Sequence, residues 1–150
     1  MTKAKVVFAS ITGNNEDIAD IVTSKLEEKN ITVDIEEISQ CDPSDFEDVD
    51  LCIVVPYTYD EGALPDEGID FFEDMANLDL TGKIFGVAGS GDTFYGEYYC
   101  VAVDKFEEAF EHAGATKGTN SVKINLAPDT EEDLQKLDVF VNELVAKIAK

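Results

Sequence analysis

Three short segments of this chain are apolar without interruption: Val6-Val7-Phe8-Ala9, Leu51-Cys52-Ile53-Val54-Val55 and Ile84-Phe85-Gly86-Val87-Ala88. A strand with one wet face alternates apolar and polar residues, so an unbroken run of this length marks a strand covered on both faces. Stretches with apolar residues at helical spacing follow them. The first, from about Asn14 to Lys29, carries Ile18, Ile21, Val22 and Leu26 on one face, and a second carries Ile69, Phe72, Met75 and Ala76. A third carries Val103, Phe106, Ala109, Phe110 and Ala113 and closes at Gly114, with His112 in its last turn against the helix dipole. The last, from about Thr130, turns Leu134, Leu137, Val141, Leu144, Val145 and Ile148 inward, and Thr130 with Asp133 forms a weak capping box at its start.

Two further segments, Ile31 to Ile38 and Val122 to Leu126, alternate with polar residues and read as edge strands. The pattern is β-α repeated five times: an α/β chain of three layers, a doubly wound, five-stranded parallel sheet with helices on both faces. With the first, third and fourth strands inside, the strand order is 2-1-3-4-5. That order puts a ligand crevice outside the carboxyl ends of strands 1 and 3, where the winding reverses.

No linker or repeat divides the 150 residues, which read as one domain, 1–150, large enough to bury a core without a disulfide or metal staple. Cys41, Cys52 and Cys100 are odd in number and widely spaced, so reduced thiols are expected and no metal site. With 11 basic against 33 acidic residues, the formal net charge is −22. Nucleic acid and anionic membranes are thereby disfavoured, because both are gripped by Lys and Arg. What remains is a small ligand held by neutral donors, or a protein partner with a basic face. No apolar run reaches transmembrane length and no signal-peptide pattern opens the chain, so a cytoplasmic protein is expected. The charge opposes self-association, so a monomer is expected.

The loops at the expected crevice are 10–15, 56–62 and 89–99. The first, Ser10-Ile11-Thr12-Gly13-Asn14-Asn15, joins a buried strand to a helix. Its backbone N–H groups, with the Ser10 and Thr12 hydroxyls, can bind a phosphate without a cation, and Gly13 allows a tight turn. The alternative is an ordinary β–α turn with Asn14 or Asn15 as N-cap. The second loop contains Pro56-Tyr57-Thr58-Tyr59-Asp60, and the third contains Ser90-Gly91-Asp92-Thr93-Phe94-Tyr95 followed by Tyr98 and Tyr99. Tyrosines facing each other across a crevice can sandwich a planar ring while keeping a phenol edge wet. Together the three loops favour a planar, phosphorylated ligand.

The pattern Ser10-x-Thr12-Gly13-Asn14, the Tyr57-Thr58-Tyr59 loop followed by Leu64-Pro65-Asp66-Glu67, and Gly89-Ser90-Gly91-Asp92 with Tyr95 resemble the flavodoxins, FMN-binding electron carriers. The likeness covers essentially the whole chain, includes Ala102-Val103-Asp104, and leaves no room for the long insertion in the fifth strand that marks the long-chain group. It implies a flavodoxin-like fold and a low-potential one-electron carrier with non-covalent FMN, not an enzyme, serving flavodoxin reductases and low-potential oxidoreductases with basic docking patches. It also implies that Ser10, Ile11, Thr12, Gly13, Asn14 and Asn15 surround the phosphate. Tyr59 lies on the inner flavin face and Tyr95 on the outer. Pro56 and Thr58 meet the ribityl chain or ring edge; Asp92 and the backbone of 89–92, with Ser90 and Gly91, contact the pyrimidine edge, and Tyr57, Asp60 and Tyr98 complete the cofactor set.

Two departures stand out. The family often has Thr or Ser where Asn15 stands, and Gly where Asp60 stands, at the peptide that turns over to accept a hydrogen bond from reduced flavin N5. Two other flavodoxin-like functions stand against the carrier: an NAD(P)H-dependent quinone or FMN reductase, for which so few basic residues offer little grip on a second nucleotide, and an activator of ribonucleotide reductase. A phosphorylated signalling receiver of the same strand order needs paired acids after the first strand, and residues 10–15 contain none.

Overall fold

Strand β1 (Lys3–Phe8) lies between two parallel neighbours, β2 (Thr32–Glu37) and β3 (Leu51–Val55), and β3 pairs in turn with β4 (Ile84–Gly91). The computed structural model describes residues 3–9, 14–40, 42–56, 72–91, 101–125 and 130–148. Helix α1 (Asn14–Glu28) connects β1 to β2, α2 (Val101–His112) follows β4, and α3 (Glu131–Ile148) ends the described chain. The strand order β2-β1-β3-β4 continues to β5 (Thr116–Lys117) and β6 (Val122–Asn125), both paired with β4. This is the expected 2-1-3-4-5 sheet, with its outermost strand in two pieces.

That division corrects the expectation of one strand near Val122 to Leu126, and Leu126 itself lies outside the described residues. From Lys117 to Val122 the outer strand advances five residues while β4 advances only from Phe85 to Ala88. The surplus lifts Thr119-Asn120-Ser121 out of the ladder as a bulge-like detour, while the Gly118 N–H still donates to Phe85 O at 2.9 Å. Thr116–Lys117 is polar and exposed, so no periodic signal announced it.

The two faces of the sheet are covered by different elements. On one, α2 brings Val103, Phe106 and Phe110 against Val7, Cys52, Val54, Phe85 and Val87. Phe85 stacks on Phe110 with centroids 4.8 Å apart, and Phe46 meets the same ring at 5.4 Å. Phe46 comes from the 3-10 turn Pro43–Asp48, which Asp42 caps by accepting from the Ser44 N–H at 2.9 Å while its own N–H donates to Asp45. On the other face α1 and α3 cover Val6, Ile53, Val55, Ala88 and Ile124 with Ile18, Val22, Leu26, Leu137, Phe140, Val141 and Leu144.

Residues 72–74 are helical and tighten into the 3-10 turn Met75–Asn77, as Phe72 and Met75 suggested; Ile69 lies outside the described residues. Leu134, expected inward, is 41% exposed. The buried stripe of α3 is Leu137, Phe140, Val141 and Leu144, and Leu134 sits at the fringe of it in the first turn. Phe140 is the member of that stripe the spacing reading omitted. Thr130 does cap α3, its Oγ1 accepting from the Asp133 N–H at 3.1 Å. Helix α2 ends in a left-handed turn at Gly114, with φ of +91° and Ala115 N–H donating to Phe110 O, and His112 lies in its last turn.

Candidate functional site

The carboxyl ends of β1, β3 and β4 meet at one edge of the sheet. Phe8 stands opposite Val55, the Ala9 N–H donates to Val55 O at 2.9 Å, and β4 runs on to Ser90 and Gly91. Pro56, buried, follows β3 directly and contributes no N–H to continue a ladder. Its carbonyl oxygen would lie only 2.4 Å from a Cβ on Gly89, so the two chains touch there through a glycine. Helix α1 begins at Asn14, and its first N–H groups have no partners within the helix. They concentrate the positive end of the helix dipole, which suits an anion. Glu16 and Asp17, exposed in the same turn, stabilise the helix but oppose a second negative charge. An anion at this helix start would gain from the N–H groups and lose to the local charge.

Five of the expected site residues fall in this framework. Asn14 and Asn15 are the first two residues of α1, Pro56 closes β3, and Ser90 and Gly91 close β4. Ser10, Ile11, Thr12, Gly13, Tyr57, Thr58, Tyr59, Asp60, Asp92, Tyr95 and Tyr98 lie outside the described residues. Gly89, expected at the ring edge through its backbone, belongs to the framework too, and so does Val103, expected only as a core residue, whose Cγ2 would meet a Gly89 Cβ at 2.9 Å. The signal for Gly89 was a small residue just where an apolar strand run ends. Nothing in the sequence tied it to Pro56. The backbone of Lys123 pairs with Gly89, but its ammonium is committed to Asp104 at 2.9 Å.

Other reactive groups stand elsewhere. Cys52 is fully buried under α2, its Sγ donating to Phe46 O at 3.8 Å, and burial pushes its thiol up to about 12, against a small opposing pull from Lys83. Such a thiol is inert at neutral pH. Among the described residues no three His, Cys, Asp or Glu side chains are grouped to hold a metal ion, and no helix is long and apolar enough to cross a membrane. Surface cavities among the described residues include one of about 470 Å³ between α3 and residues 119–123 and one of about 320 Å³ beside the amino ends of β1 and β2. Neither is lined by Ala9, Pro56 or Gly89.

The arrangement fits a phosphorylated group such as FMN: a helix start whose first N–H groups have no partners within the helix on one side, and two strand ends in glycine-mediated contact on the other. Comparison with known proteins agrees. The model of the flavodoxin family matches residues 6–137. Probable flavodoxin 1 of Bacillus subtilis (strain 168) is 37% identical over 146 residues, covering 97% of this chain and 92% of that protein. Among solved structures, a short-chain flavodoxin described as associated with a non-canonical PDU bacterial microcompartment superposes with a TM-score of 0.96 at 52% identity over 99% of both chains. The Streptococcus pneumonia TIGR4 flavodoxin gives a TM-score of 0.94 at 53% identity over 97% of this chain and 99% of its own.

Proposed function

Because the chain belongs to the flavodoxin family, and is thus an FMN-binding electron carrier without a substrate of its own, we propose that it moves single electrons at low potential between a reductase and acceptor enzymes. The observation that carries the placement of FMN is the convergence of the β1, β3 and β4 ends beside the start of α1. FMN supplies the redox chemistry when bound. The chain holds it, orients it and limits its contact with water. In this reading the N–H groups at the start of α1, with Ser10, Thr12, Gly13, Asn14 and Asn15, bind the phosphate. Pro56 and Thr58 line the ribityl side, and Tyr59 and Tyr95 cover the two ring faces. Asp60, Ser90, Gly91 and Asp92 reach the ring edge, with Ile11, Tyr57 and Tyr98 completing the walls.

The residues 1–150 act as one domain, as a monomer in the cytoplasm, docking on basic patches of its redox partners. The net charge of −22 supports that docking, since it steers cationic surfaces in and keeps copies of the chain apart. The test is the visible spectrum of the protein with FMN during stepwise anaerobic photoreduction. Tight binding, quenched flavin fluorescence and electron uptake in two separable one-electron steps are expected. Riboflavin is expected to bind more weakly than FMN, because the helix start has no phosphate to hold. Uptake of two electrons in one step, with bleaching by NADPH alone, would instead indicate a reductase.

A further inference from the structure

We propose that Gly89 is a positioning residue: its missing side chain sets how closely the bases of the second and third loops approach, and so the width of the FMN crevice. The proposal rests on the placement of FMN at this sheet edge. The register of β3 with β4 runs from Leu51 opposite Ile84 to Val54 opposite Val87 and ends there. Two residues beyond, Pro56 and Gly89 are in contact. A Cβ on Gly89 would lie 2.4 Å from Pro56 O and 3.2 Å from Pro56 Cδ on one side, and 2.9 Å from Val103 Cγ2 on the other. Val103 is fully buried in the first turn of α2, the helix that follows the third loop. Three segments therefore close on one hydrogen atom: the exit of β3 into the second loop, the exit of β4 into the third, and the helix to which the third loop returns.

None of the three has slack. Pro56 presents a backbone carbonyl, and its own ring fixes the local φ. Beyond Gly89, β4 is held on its far side by pairing with β6, from Ala88 opposite Val122 to Gly91 opposite Asn125. A methyl group at Gly89 therefore displaces Pro56 by about 1 Å, the shortfall from ordinary contact. That displacement falls at the root of the second loop, and misplacements of this size are what well-ordered sites do not tolerate.

The experiment compares Gly89→Ala with Gly86→Ala. The Gly86 Cβ would meet Phe140 Cζ at 2.8 Å and Leu144 Cδ1 at 3.0 Å, overpacking the core on the α3 side without touching Pro56. For each, the FMN and riboflavin dissociation constants and the flavin midpoint potentials are measured, alongside urea unfolding of the apoprotein. Gly89→Ala is expected to weaken FMN and riboflavin binding alike, by at least about tenfold, and to shift the potentials. Gly86→Ala is expected to lose stability but keep wild-type potentials and an affinity within about twofold once the folded fraction is counted. The double variant Gly89→Ala/Val103→Ala should bind more tightly than Gly89→Ala and more weakly than Val103→Ala. Where Gly89→Ala alone does not fold, the second half of that ordering decides. A Gly89→Ala protein with wild-type affinity and potentials, or two glycine variants altered in parallel, overturns the proposal. A wild-type chain that binds no FMN overturns the site reading instead.

Discussion

Lys5 is a lysine in a strand interior, 2% exposed, and replacing it separates the part its charge plays from the part its carbon chain plays. Its ammonium bonds Asp34 Oδ2 at 2.6 Å and also Glu36 Oε1, both on the edge strand β2, where Asp34 is its direct register partner. The partner side chains are 64% and 38% exposed, so they stay hydrated when the lysine goes, and the heavy penalty for stranding a buried charge does not apply. Pairs with partners so exposed contribute about 0.2–1 kcal/mol each, less the cost of desolvating the ammonium. Lys5→Met, which keeps the buried length, is thus expected to lose roughly 1 kcal/mol at pH 7. Lys5→Ala also strips three buried methylenes at about 0.8 kcal/mol each, for a loss of roughly 3 kcal/mol.

The pH dependence follows from the same contacts. Burial alone would lower the Lys5 pKa, but the hydrogen bonds and charges of Asp34 and Glu36 together outweigh it and raise the pKa above the ordinary 10.5. A cation favoured in the folded state adds stability that is complete below the unfolded value of 10.5 and is lost as pH rises through the higher folded value. Urea unfolding followed by far-UV circular dichroism from neutral pH to about pH 11.5 should therefore show the gap between wild type and Lys5→Met closing at the alkaline end. The Lys5→Ala gap should retain its packing part. A Lys5→Met gap undiminished at alkaline pH, or equal losses for the two variants, refutes the division.

In a Cys41→Ser/Cys100→Ser background, Cys52 should alkylate with iodoacetamide only as fast as the protein unfolds, its thiol at about 12 leaving about a thousandfold less thiolate than an ordinary one; labelling of the native protein at the free-thiol rate would contradict this. Phe140→Ala, which removes the ring packed between α3 and the sheet, should cost about 3–5 kcal/mol by urea unfolding, and a loss under about 1 kcal/mol would show that the helix does not depend on it. Asp60→Gly should draw the two one-electron midpoint potentials apart in the sense that favours the first reduction, since glycine adopts a positive φ freely; potentials identical to wild type dispose of that role. Electron transfer to an acceptor with a basic face should slow as salt rises from about 0.01 to 0.5 M, and a rate independent of salt would remove the docking argument.

The architecture was readable because burial on both faces leaves a compositional mark: three runs without a polar residue can only be inner strands, and the structure has them as β1, β3 and β4. What escaped was local. The piece Thr116–Lys117 is exposed and polar, and it belongs to the sheet only because Phe85 and Ile84 offer it a ladder. Phe46 reaches the core from a 3-10 turn that has no periodicity to detect, although Asp42-Pro43 before Asp45 was a usable capping signal. Lys5 carried no sequence signal of burial, since its partners are two carboxylates about 30 positions away. At the site, the loops announced themselves by residue type. The contact of Gly89 with Pro56 and Val103 could not, because it joins three segments far apart in the chain.

The sign of the charge links the binding problem to the redox one. In the proposed site, a chain of net charge −22 would bind a phosphate at a helix start bearing Glu16 and Asp17 with no help from its monopole, so the grip would come from dipoles aimed at short range. The same field acts on every electron added to the flavin ring. Charges beyond about 10 Å are screened, so most of the 33 acids affect solubility and docking, while those at the crevice rim set the electrostatic part of the potential. A lysine near the ring would strengthen binding and raise the potential together. Lys123, whose backbone pairs with Gly89, is instead tied to Asp104 on α2, so in the proposed site its charge is offset before it can add to either effect.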